Sequence, residues 1–138
     1  MPLLGREIPG INIQWPWSQM LLSGKKTIET RSYDIKKGYL NKDLALIETP
    51  GPKGRKEAGI EQARIIGIIV FSKTYRYVNF EHWKAEACAH FVDENDSPYS
   101  WRDGRAAWAW QVDSIIEFDK PAPAPLRKGI IYTRRCFI

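Results

Sequence analysis

Lys26, Glu29 and Arg31 stand in a Lys-x-x-Glu-x-Arg spacing inside the stretch Ser23-Gly24-Lys25-Lys26-Thr27-Ile28-Glu29-Thr30-Arg31-Ser32-Tyr33. Residues 27–33 are rich in β-formers and read as a strand. Period-two geometry then puts Thr27, Glu29, Arg31 and Tyr33 on one face, with Ile28 opposite. A carboxylate and a guanidinium two residues apart on such a face can pair with each other. They can equally offer a ligand an acceptor and a forked donor. Lys26, where that strand begins, adds a mobile cation, and Trp15 and Trp17 supply flat apolar surfaces suited to stacking on a base. A structural salt bridge with the tryptophans in the core and a site for an anionic, base-bearing ligand are the two readings of these residues.

Other familiar chemistries find no support. The chain has no Ser-His-Asp order, no cluster of metal-ligating residues and no glycine-rich phosphate loop. His82 and His90 lie eight residues apart without an evident carboxylate partner and read as ordinary histidines. Cys88 and Cys136 are too few for a disulfide scaffold and make no metal-ligand pair. Neither a metal nor another cofactor is expected.

The elements that must position these residues follow from pattern. Residues 11–15 alternate and read as a strand, and Pro16 opens a short helix over 17–22 that Ser23-Gly24 stops. Residues 43–49 form a further strand, ended by Pro50-Gly51-Pro52. Residues 53–62 are polar and read as an exposed loop or a short helix at the rim of a barrel. The nearly unbroken apolar run 64–71 suits a strand covered on both faces, with a bend or bulge at Gly67. Asn79 caps a helix whose apolar stripe is Phe80, Trp83, Ala87 and Phe91, with Cys88 expected as a buried thiol beside it.

A loop over 93–104 leads to the clearest strand, 108–118. There Trp108, Trp110, Val112, Ile116 and Phe118 share one face and Gln111, Asp113 and Glu117 the other. Residues 120–125 read as an extended connector, and a last strand starts at Gly129. About six strands and two or three short helices make an α+β chain built as a compact barrel.

At 138 residues, with 43% hydrophobic and 27% charged, the chain reads as one soluble domain, 1–138, able to fold without staples. No apolar run approaches the ~20 residues of a membrane span. The opening Met1-Pro2-Leu3-Leu4-Gly5-Arg6-Glu7 lacks the basic flank and long apolar stretch of a signal peptide, so a cytoplasmic location is expected. Residues 24–76 hold 12 of the 21 Lys+Arg but only 6 of the 16 Asp+Glu, a net +6 against −1 for the rest. That concentration suits either a phosphate-bearing ligand approaching one side or a solvated lysine-rich surface.

The segment Gln14-Trp15-Pro16-Trp17-Ser18, followed by Gly24-Lys25-Lys26-Thr27-Ile28-Glu29-Thr30-Arg31-Ser32-Tyr33, resembles the signature of the ASCH family within the PUA-like superfamily. That signature is a Gln-Pro-Trp-like stretch, a short helix, then Gly-x-Lys-Thr-Ile-Glu-x-Arg and an aromatic. This chain departs from it by one extra tryptophan between Gln14 and Pro16. The likeness extends more weakly to Ala109-Trp110-Gln111-Val112 and to the Pro-rich exit over 123–131.

The resemblance implies a PUA-like β-barrel with a cleft beside the first helix, lined by the Lys26/Glu29/Arg31 strand. It also implies association with RNA or modified nucleobases. Some bacterial members of the superfamily are amidohydrolases of acylated cytidine, using Lys, Thr and Glu, and others are ribonucleases. The nucleophilic Thr of the amidohydrolases falls where this chain has Glu29, with Thr27 and Thr30 out of register, so that mechanism does not carry over intact.

Three function classes follow. The first is a module binding single-stranded RNA or a (modified) nucleotide through Trp15, Trp17, Lys26, Glu29, Arg31 and Tyr33. The second is a hydrolase of RNA or a modified nucleoside, with Lys26 or Glu29 catalytic. The third is a protein-interaction module whose cleft holds a partner segment. A cluster of Lys, Glu and Arg is over-specified for simple packing, which favours the first two.

Overall fold

The alternating segment after the N-terminus builds the strand on which the fold is organised. A computed structural model describes residues 5–95, 99–126 and 131–138. In it β1 (Glu7–Gln14) leads through Pro16 into α1 (Trp17–Leu22) and then to the short β2 (Ile28–Arg31). There follow β3 (Leu44–Thr49), α2 (Gly51–Glu57), β4 (Arg64–Arg76), α3 (Phe80–Ala85), α4 (Ala87–His90), β5 (Trp108–Pro123) and β6 (Tyr132–Phe137). Gly129 and Ile130, expected to open the last strand, lie outside the described residues, as do Met1 to Leu4.

The six strands form one mixed sheet in the order β2-β5-β4-β3-β1-β6. Only β1 and β3 run parallel, joined by the crossover that carries α1 and β2. The expected barrel needs correcting: the sheet keeps two edges, β2 and β6, and does not close. It curls instead. The Arg31 side chain of β2, at one edge of the sheet, reaches across to the Asn12 carbonyl of β1, next to the other edge, at 3.1 Å.

β3 is buried on both faces: Leu44 and Leu46 enter one apolar cluster with Ile11, Phe71 and Trp110, whereas Ala45 and Ile47 enter another with Ile65, Ile68 and Phe118. Full burial of each large aliphatic or aromatic side chain stabilises the fold by about 1.5–3 kcal/mol. The bulge expected near Gly67 is present as a slip of register on both sides of β4, between Ile65 and Gly67. A β-carbon on Gly67 would collide with the Ile116 carbonyl of β5.

Three local expectations change. The helix expected from Asn79 to Phe91 breaks at Glu86 into α3 and α4, giving four short helices rather than two or three. Glu86 accepts the Tyr75 hydroxyl at 2.6 Å, and the break turns Cys88 away from the apolar stripe. Cys88 is therefore exposed, not buried. In β5, Phe71 pairs with Val112 and Val70 with Ser114, so Asp113 bulges out and the alternation flips. Ile115 packs on the core and Ile116, expected inside, is 39% exposed.

The supposed connector also joins β5, pairing Ala122 with Ile65 and Pro123 with Arg64. Among the described residues β2 pairs only with residues 108–111 of β5, and Pro121 and Pro123 lie beyond that pairing, where they displace no β2 ladder bond. Among the described residues no helix is long and apolar enough to cross a membrane.

Candidate functional site

Two neighbours place the charged trio. β2 pairs antiparallel with β5, setting Glu29 opposite Trp110 and Arg31 opposite Trp108. Lys26 lies just before the strand, in the turn leaving α1, where its N–H donates to the Met20 carbonyl at 2.9 Å. The Thr27 N–H donates to the Ala89 carbonyl at 2.9 Å, so α4 docks against the start of β2. The Lys26 ammonium then donates to the carbonyl of His90, at the end of α4.

His90 is what makes that carbonyl rigid. Its ring is buried, with Nε2 on the Trp83 carbonyl at 2.8 Å and Nδ1 accepting the Val92 N–H at 3.0 Å. Both nitrogens are satisfied by the neutral ring, and burial lowers its pKa. His90 thus serves structure, as the sequence suggests.

The trio is tightly paired. Glu29 Oε2 accepts from Arg31 Nε at 3.0 Å and Nη2 at 2.8 Å, while Oε1 faces Lys26 Nζ at 3.5 Å. Arg31 Nη1 donates to the Tyr33 hydroxyl at 2.9 Å. The guanidinium carbon also lies 5.5 Å from the Trp110 ring centre, a cation–π distance. Lys26 and Glu29 are 1% and 6% exposed.

Burial pulls the Lys26 pKa down, and the Glu29 charge only partly restores it. For Glu29, burial pushes upward, but the charges of Arg31 and Lys26 outweigh it and hold the carboxyl below its ordinary value. For Arg31, burial works to lower the pKa, but Glu29 and Tyr33 prevail and raise it. The chemistry offered is a fixed carboxylate flanked by two cations. Oε1, with one long contact, keeps acceptor capacity, and Arg31 Nη1 keeps one N–H after serving Tyr33.

The trio forms the wall of an open cleft of about 620 Å³. Of the residues singled out from sequence, Trp17, Lys26, Glu29, Arg31 and Tyr33 line it. Trp15 does not. It lies against α2, where a β-carbon on Gly54 would sit 3.3 Å from that of Trp15. Thr27 is exposed and off the cleft, while Thr30 reaches it.

The remaining lining comes from segments that the spacing argument did not reach: Asn12 and Gln14 of β1, Arg55 of α2, and the segment carrying Tyr99, Trp101, Arg102 and Arg105. The Tyr99 hydroxyl donates to Gln14 Oε1 at 3.0 Å, and its ring meets Trp17 edge-on at 4.6 Å. A side chain on Gly51, which holds φ +58° at the cleft edge, would strike the Gln14 amide. Lys26, Arg31, Arg55, Arg102 and Arg105 face a single carboxylate, Glu29, among the described lining residues. The cleft is electropositive, and two of its cations lie outside the basic stretch 24–76. Aromatic and arginine residues clustered over 99–105 are the signal that would have found them.

A second buried carboxylate lies behind the cleft. Glu48 of β3 is 0% exposed and accepts from Ser18 Oγ at 2.7 Å, Gln19 Nε2 at 2.6 Å and Arg64 Nε at 2.9 Å. It ties α1 to β3 and β4 and does not line the cleft. Among the described residues no group of His, Cys, Asp and Glu is arranged to hold a metal ion.

The family model of the ASCH domain matches residues 11–122, which takes in β1 through most of β5. No curated protein matches the chain in sequence. In three dimensions it is similar to crystal structures of the ZmASCH protein from Zymomonas mobilis. A serine-to-alanine variant superposes with a TM-score of 0.66 at 16% identity, covering 94% of this chain and 89% of that one. A tyrosine-to-phenylalanine variant gives 0.68 at 16% identity over 94% and 90%. A further structure of the protein gives 0.57 at 18% identity over 80% and 73%. At these identities the likeness concerns the fold.

Proposed function

The chain belongs to the ASCH domain family, and on that premise we propose that its cleft binds single-stranded RNA, or a nucleotide with the same chemistry, one unit at a time. The observation that carries this reading is the Lys26–Glu29–Arg31 trio, its lysine and glutamate buried and its arginine partly so, in the wall of a cleft lined by further arginines. Burying the Lys26 and Glu29 charges costs several kcal/mol per ion before pairing offsets it, and packing alone would be served as well by apolar residues. A ligand with both phosphate and hydrogen-bonding edges uses all of it. Arg55, Arg102 and Arg105 meet phosphate, Trp17 and Tyr33 give aromatic surface, and Glu29 Oε1 accepts from a base or sugar donor.

The test is titration of labelled single-stranded RNA at two salt concentrations. Affinity should fall steeply with salt, because neutralised phosphates release counterions. No binding, or binding indifferent to salt, leaves the cleft to a protein partner instead.

Hydrolysis of RNA or of a modified nucleoside is the second reading, favoured by one observation: burial lowers the pKa of Lys26, beside a carboxylate that can orient water. Under this reading Glu29→Gln leaves binding largely intact while turnover falls by ~10²-fold or more. Under the binding reading the same change weakens binding and no turnover exists to lose.

A further inference from the structure

We propose that a second strip, beginning at the Tyr33 end of the cleft and carried by Lys36, Lys37, Tyr39 and Lys42, holds the continuing strand of a bound single-stranded RNA. The preferred ligand is then an oligonucleotide rather than a free nucleotide. This rests on the cleft reading above and adds to it a contact surface with its own residues.

The strip is continuous with the cleft. Tyr33, which lines the cleft, packs with Tyr39 and Tyr132 on one apolar cluster. Tyr132 meets Tyr39 edge-on at 5.0 Å, and its hydroxyl accepts the Lys36 N–H at 2.9 Å. Burial raises the Tyr132 pKa, opposed by that hydrogen bond, and Tyr33, Arg31 and Tyr39 all lie near enough to act on it electrostatically. Tyr132 thus ties Tyr39 and the Lys36 backbone to the apolar cluster that also holds Tyr33.

The strip is also built for a polyanion with flat bases. Lys36 Nζ lies 5.1 Å and Lys42 Nζ 6.0 Å from the Tyr39 ring centre, placing one aromatic ring beside two ammonium groups. Lys36, Lys37 and Lys42 are all exposed. Of the neighbouring acids, Asp43 pairs with Arg6 at 3.0 Å, and Asp34 accepts the Ile35 N–H at 2.7 Å. Among the described residues neither forms an ion pair with these lysines. Aromatic surface alternating with unneutralised cations is how single strands are held without sequence choice. A mononucleotide seated in the cleft has no phosphate left to reach this loop.

The experiment compares the unaltered chain with a Lys36→Gln/Lys37→Gln/Lys42→Gln variant and with Arg31→Lys. The probes are a fluorescein-labelled 12-nucleotide RNA of mixed sequence and the four nucleoside 5′-monophosphates. All three lysines are exposed, so the triple variant keeps the fold, which circular dichroism checks. The expected result is tighter binding of the 12-mer than of any monophosphate, and roughly ten-fold or greater loss for the 12-mer in the triple variant. The slope of log affinity against log salt should become shallower by about 2, or ~0.7 for each of three phosphates. Monophosphate binding should stay unchanged in the triple variant.

Equal affinity for 12-mer and monophosphate, or a 12-mer affinity and salt slope untouched by the triple variant, overturns the strip. If Arg31→Lys still weakens both probes in that case, the cleft reading stands without it. If neither probe binds the unaltered chain, or Arg31→Lys weakens neither, the cleft reading itself has failed.

Discussion

Among the described residues two carboxylates lie in the interior, and their surroundings divide the molecule into a scaffold and a site. Glu48 is met by a serine hydroxyl, a glutamine amide and the 39%-exposed Arg64, and every partner belongs to an element it holds in place. Glu29 is met by two cations, one of them as buried as itself, on a strand that forms the sheet's edge and a cleft's wall. The first arrangement satisfies a buried acceptor at modest cost and fastens α1 to the sheet. The second concentrates charge in the wall of a cleft. A buried carboxylate is thus no sign of function by itself. Its partners and the space in front of it decide.

Breaking the pairing at Glu29 should cost most. Glu29→Gln leaves the buried Lys26 and the partly buried Arg31 without a counter-charge, and a loss of about 3–5 kcal/mol in urea unfolding is expected. Glu48→Gln keeps an acceptor for Ser18 and leaves a partly solvated Arg64, so about 1–3 kcal/mol is expected. Equal losses at the two positions would erase the distinction. Ligand binding sharpens it: Glu48→Gln should leave RNA affinity as it is, once the protein is folded. Arg31→Lys should weaken it by about 1.5–3 kcal/mol, since lysine cannot span Glu29, Tyr33 and the Asn12 carbonyl.

Acid should act through Glu29 in a definite direction. Unfolded, the group titrates near 4.5, and in the folded chain its pKa is lower. Between the two values the unfolded state binds more protons, so this contribution is complete above about 4.5 and is lost as pH falls through the folded value. Urea midpoints from pH 7 down to 3 should drop more in the unaltered protein than in Glu29→Gln. Parallel curves would show that the ion pairs add nothing. The smallest effect belongs to Cys88, exposed and outside both regions: Cys88→Ser should change stability by less than ~0.5 kcal/mol and binding not at all.

The same division governs what the sequence made visible. Alternation found β1, start and stop residues bounded α1, and apolar runs ended or bent by Gly and Pro found β3 and the core of β4, because each of these signals is local in the chain. The Lys-x-x-Glu-x-Arg spacing found the trio, because its members are near neighbours along one strand. The break at Glu86 was hidden in the helical pattern, and the carboxylate there accepts a hydroxyl from Tyr75, eleven residues earlier on β4. The bulge at Asp113 was equally hidden, being set by pairing with β4. Arg55, Arg102 and Arg105 reach the cleft only because an open, curled sheet brings α2 and the segment before β5 to the same side as β2. Glu48 gave no signal either: its partners are 30 residues upstream and 16 downstream.

The most direct measurement is a crystal structure of the protein with a short single-stranded RNA. The account expects one nucleotide in the cleft, with Arg31 and Glu29 Oε1 hydrogen-bonded to it and phosphate beside Arg55, Arg102 or Arg105. An RNA bound on another face, with the Lys26–Glu29–Arg31 trio untouched, would contradict it.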